Sequence, residues 1–82
     1  MHSKKVIVIF KDFATRDEIH DLMESIKDHG GRITNVYRDL FKGFAAVVSH
    51  ASLLRLESLA RIRDTPIDYV ETDEGVTSFV EL

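Results

Sequence analysis

The 82-residue sequence contains no cysteine, so disulfide bridges, thiol nucleophiles and thiolate zinc sites are excluded. It also lacks a long apolar run. The stretch Val6-Ile7-Val8-Ile9-Phe10, which follows Met1-His2-Ser3-Lys4-Lys5, is too short and too soon followed by charge for a signal peptide or a membrane span. The expectation is a soluble, cytoplasmic product with no membrane partner. A basic excess is missing as well: eleven Lys and Arg against fourteen Asp and Glu give a net charge of -3, the wrong sign for general contact with a phosphate backbone. Nucleic acid is therefore not an expected partner. No internal repeat, low-complexity tract or linker interrupts the body of the chain.

The composition is that of a folding chain. Hydrophobic residues make up 44% and charged residues 30%, too apolar a balance for a disordered segment, and the length allows one small core. Val6 to Phe10 is β-branched or aromatic and apolar at every position, which predicts a strand covered on both faces. Thr15-Arg16-Asp17-Glu18 has the form of a capping box. Ile19, Leu22, Met23 and Ile26 then recur on one helical face, and Gly30-Gly31 supplies a left-handed stop. Arg32 to Arg38, with Ile33, Val36 and Tyr37 among polar residues, predicts a half-exposed strand, and Asp39 to Lys42 a turn. Gly43 to Val48 is again apolar on both faces. Ser49 or Ser52 can cap a second helix bearing Leu53, Leu56, Leu59 and Ala60, which Asp64-Thr65-Pro66 ends, and Ile67 to Asp73 predicts a fourth strand.

The order strand, helix, strand, strand, helix, strand is that of an α+β, ferredoxin-like βαββαβ plan, a four-stranded antiparallel sheet with two helices on one face. Its central strands are the first and third, the two without a polar face. The helices cover only one side of them, so an apolar centre is left on the other side for a partner. A strand-prone tail, Val76-Thr77-Ser78-Phe79-Val80-Glu81-Leu82, follows Gly75 and has no place in the six-element plan. The chain thus divides into a domain, residues 1–75, and an extended C-terminal tail, residues 76–82. A tail that frays or packs back on its own domain is the ordinary alternative.

Four segments carry a family resemblance: Lys5-Val6-Ile7-Val8-Ile9-Phe10-Lys11, Gly30-Gly31, Lys42-Gly43-Phe44-Ala45, and Tyr69-Val70-Glu71 with Asp73. In this order and spacing the chain resembles the subtilisin propeptide-like inhibitors, which include prodomains of subtilisin-type serine proteases and freestanding fungal proteinase B inhibitor-like proteins. The resemblance implies a noncovalent, substrate-like inhibitor that is monomeric when free, without cofactor, and that also assists folding of its protease if it is a detached prodomain. It implies that the open sheet face docks on the protease and that Glu71 and Asp73 accept N–H groups at the starts of two protease helices. It further implies that Val76, Thr77, Ser78, Phe79 and Val80 lie in the active-site cleft as an added strand. Phe79 then precedes the scissile bond and Val76 fills the second apolar pocket. In a second register Leu82 is terminal and Phe79 takes the second pocket.

Other motifs carry less. Lys42-Gly43-Phe44-Ala45-Ala46-Val47-Val48-Ser49 imitates an RNA-recognition octamer, yet Ala46 and Ser49 stand where stacking aromatics belong. His29-Gly30-Gly31 has no Gly-x-Ser-x-Gly to serve and reads as a helix end. Asp17, His20, Asp21 and Glu24 form a solvated helix face rather than a metal site, and His2, His50 and Ser49 have no catalytic partner. No enzyme activity is expected. The alternative to an inhibitor is a ferredoxin-like module that binds a small ligand or another protein through its open sheet.

Overall fold

β1 (Ser3–Phe10) and β3 (Gly43–Ser49) lie side by side at the centre of one antiparallel sheet. The computed structural model describes residues 3–72 and 75–76. Flanking the central pair are β2 (Arg32–Tyr37) beside β3 and β4 (Ile67–Thr72) beside β1; α1 (Arg16–Asp28) and α2 (His50–Ala60) make the crossovers. The strand order β2-β3-β1-β4 is that of the ferredoxin-like plan. A two-residue strand, β5 (Gly75–Val76), is added outside β4.

Alternation along the central strands divides their side chains between two faces. Val6, Val8 and Phe10 from β1 and Phe44, Ala46 and Val48 from β3 are buried, and they share one core cluster with Ile67 and Val70 of β4, Ile26 of α1, and Leu53 and Leu56 of α2. Both helices therefore cover the same face. Phe44 is fully buried, its ring 5.9 Å from that of Phe10. Burial of each such side chain contributes about 1.5–3 kcal/mol. Ile19, Leu22 and Met23 pack partly buried against the cluster, as their spacing predicts.

The helix ends follow the sequence closely. Glu18 N–H donates to Thr15 Oγ1 at 3.1 Å and Thr15 N–H donates to Glu18 Oε1 at 2.8 Å, closing the capping box. Gly30 takes φ +88°, which lets Gly31 N–H reach back to Ile26 O at 2.8 Å. Of the two serines able to cap α2, Ser49 does so, accepting from Ser52 N–H at 3.1 Å. Beyond α2, Asp64 adopts φ 63° and Thr65 Oγ1 accepts from Ile67 N–H, turning the chain into β4.

Two irregularities lie outside what alternation predicts. In β2 the register against β3 shifts between Ile33 and Asn35. Along β4, Ile9 opposes Tyr69 while Phe10 opposes Ile67, so Asp68 is an extra residue, and Ile67 and Val70 are both buried although three positions apart.

Candidate functional site: the open sheet face and the start of the tail

The face that the helices leave bare is built from the alternate residues of the same strands. Its register forms three cross-strand rows. Tyr37, Gly43, Ile9 and Tyr69 make the first; Asn35, Ala45, Ile7 and Glu71 the second; Arg32, Val47 and Lys5 the third. Ile7, Ile9, Ala45 and Val47 are half-buried by one another although no helix covers them, while Lys5, Arg32 and Glu71 are exposed. The result is an apolar centre with cations along one end and a carboxylate at the β4 side. A shallow depression of about 460 Å³ follows the second row, walled by Lys5, Ile7, Asn35, Ala45, Val47 and Glu71.

Small residues on β3 explain the shape. A Cβ on Gly43 would stand 2.4 Å from Val8 O, so only glycine permits β3 to approach β1 there. Ala45 lowers the next row. At the aromatic end, the Phe41 ring lies 5.2 Å from that of Tyr37, extending the apolar corner into the β2–β3 turn. That turn is held in place by Lys42, whose Nζ donates to Asp12 O at 2.7 Å and to Ala14 O at 2.9 Å. The three rows, the Tyr37–Phe41 corner and the Lys42 clamp are not read from sequence. They depend on strand order and on partners about thirty positions away, and the interruption near Thr34 hides the alternation of β2.

Among the tail residues singled out from sequence, Glu71 is exposed near the end of β4, opposite Ile7 on one side and Val76 on the other. Gly75 and Val76 pair with Thr72 and Glu71, so the chain turns back along β4 at its first step and β5 straddles the boundary drawn between domain and tail. Asp73, Thr77, Ser78, Phe79, Val80 and Leu82 lie outside the described residues.

The side chains noted as possible chemistry have other occupations. Ser49 caps α2, and His29 receives Arg55 Nη1 at its Nε2 at 2.7 Å while its Nδ1 lies 2.8 Å from Ser25 O. Glu24 pairs with Lys27 at 2.7 Å on the exposed face of α1. That hydrogen bond and the Lys27 charge hold the Glu24 carboxyl below the usual range.

No family model matches the sequence. Two proteins of Pleurotus ostreatus, serine proteinase inhibitors IA-1 and IA-2, are each 36% identical to it over 75 residues, which span 90% of this chain and 95% of each relative. The likeness covers most of both chains, and the chain belongs to the family of these fungal serine proteinase inhibitors, a family of inhibitors and not of enzymes.

Proposed function

We propose that this chain inhibits serine proteinases of the subtilisin type, noncovalently and as a substrate-like ligand. The observation that carries this reading is the helix-free apolar face, bounded at β4 by Glu71, in a chain whose relatives are named serine proteinase inhibitors. The face docks on the enzyme surface. Ile7, Ile9, Ala45 and Val47 supply apolar contact, and Glu71 and Asp73 accept N–H groups at the starts of two enzyme helices, where orphan donors and the positive dipole end favour a carboxylate. The tail then adds a strand to the cleft, with Val76, Thr77 and Ser78 leading to Phe79 in the pocket before the scissile bond and Val80 beyond it.

Inhibition constants against one subtilisin-type and one chymotrypsin-type enzyme test the target class. Strong inhibition of the first and little of the second is expected. Indifference of both enzymes would refute the reading and leave an interaction module of another kind. Deleting residues 76–82 should abolish inhibition with the domain still folded by circular dichroism. Glu71→Ala, which removes one capping acceptor, should weaken inhibition roughly fivefold, the equivalent of about 1 kcal/mol. Mass spectrometry after long incubation fixes the register, because a slow cut after Phe79 and no cut at all leave different masses.

A further inference from the structure

We infer that the groove between α1 and β2, on the helix side of the sheet, binds a small anionic amphiphile: a free carboxylate carried on an apolar body such as an acyl chain. This groove and the open face lie on opposite sides of the sheet, so occupancy of one leaves the other free.

The groove exists because α1 does not reach over the edge strand. Val36 stands opposite Phe44 in the register and so belongs to the helix side, yet it is 41% exposed where Phe44 is fully buried. Ile19 and Met23 of α1, which meet the core with their inner parts, remain half-buried beside it. These three side chains give an apolar floor to a depression of about 460 Å³, within the range of pockets that take small ligands.

The border of the groove is cationic. Arg16, His20, Arg38 and Lys42 line it and no Asp or Glu does, in a chain that carries more acids than bases. Arg16 and Arg38 are exposed and make no ion pair among the described residues. Lys42 is half-buried, and its amine is fixed by two carbonyl oxygens, Asp12 O and Ala14 O. One of its three N–H donors is thus left without an acceptor among the described residues, and its charge without a carboxylate. A fixed cation beside an apolar floor calls for one ligand chemistry. The carboxylate head accepts the remaining Lys42 N–H between the two guanidinium groups, and the apolar body covers Val36, Ile19 and Met23. The volume suits a single small molecule rather than the face of a folded partner.

Decanoate, decylamine and decanol, each kept monomeric, are titrated into the intact protein and followed by NMR. Decanoate should give saturable shifts at the Ile19, Met23 and Val36 methyl groups and at Lys42 Cε, with a Kd on the order of 100 µM. It should bind roughly tenfold more tightly than decylamine. Arg38→Glu should weaken decanoate binding about fivefold with an unchanged circular dichroism spectrum. Decanoate shifts that fall on Ile7, Ile9 and Val47 instead would assign the amphiphile to the open face and overturn the inference. So would the absence of any shift, decylamine binding as tight as that of decanoate, or a folded Arg38→Glu variant that binds decanoate as the parent does. Should that variant fail to fold, the three ligands compared on the unsubstituted chain decide by themselves.

Discussion

Replacing Gly43 by alanine adds a single methyl group at a crowded backbone position of the sheet centre. The new Cβ would sit 2.4 Å from Val8 O and 3.3 Å from Ile9 Cδ1. Carbon and carbonyl oxygen tolerate about 3.3 Å at closest, so β1 and β3 must part by about 1 Å at the Ile9–Gly43 pair. The side-chain end of Ile9 can give way, but Val8 O belongs to the ladder. The adjacent Phe10 N–H to Lys42 O bond, 2.9 Å long, stretches with it, and Phe44, fully buried on the next position, loses contact with Phe10. Overpacking of this kind costs about 1–3 kcal/mol and a weakened hydrogen bond about 1 kcal/mol, offset by about 0.4–1 kcal/mol from the stiffer unfolded chain. The net expectation is a loss of about 2–3 kcal/mol, or a fall in Tm of roughly 10–20 °C for a domain of this size. Urea denaturation with an unchanged m value is the assay. Gly30→Ala is the control: nothing lies within 4 Å of its Cβ, and its cost comes only from φ +88°, about 1–2 kcal/mol. If Gly43→Ala stays within about 0.5 kcal/mol of the parent, close strand approach does not fix that glycine and the reasoning fails.

Thr15→Ala removes the hydroxyl that receives Glu18 N–H and should destabilise the domain by about 1 kcal/mol in urea melts; an unchanged midpoint would mean that α1 does not need its box. Lys27→Met should raise the Glu24 carboxyl toward the usual glutamate range in an NMR titration, since hydrogen bonding to Lys27 and its charge are the main causes that lower it, with a smaller share from His20. Because the folded value is the depressed one, the pair stabilises above the ordinary glutamate range and fades as pH falls through the lowered value. The Lys27→Met variant should lose that part of the pH dependence.

The element order was legible because each segment carries a local signal: a capping box before Ile19, Leu22 and Ile26, glycines behind them, and two runs apolar at every position. The bare face was legible for the same reason, since a strand buried by helices on one side has no other use for Ile7 and Ile9. Strand register was not. Nothing local tells Ile7 that it will stand between Ala45 and Glu71, or Lys42 that its amine will hold Asp12 O and Ala14 O. The bulge at Asp68 escaped too, because Ile67 and Val70 fit a strand and a helix face equally well. A tail that packs back on its own domain was only the alternative to an extended one, because two residues have no period and Asp73-Glu74 carries no hairpin signal; the structure pairs Gly75 and Val76 with the edge of β4.

Placement of charge around the open face bears on why a free apolar sheet surface need not drive self-association. A flat face of this kind, repeated in two copies, stacks readily if it is apolar to its borders. Here the apolar area covers the first row and the middle of the other two. Lys5 and Arg32 close one end and Glu71 closes the β4 side. A partner must match that asymmetry, bringing donors to Glu71 and leaving the two cations in water or paired. Helix N-termini meet the first demand because their amide hydrogens are otherwise unsatisfied. Glu71 is also the β4 residue that pairs with Val76, so the carboxylate that borders the open face stands beside the first residues of the tail.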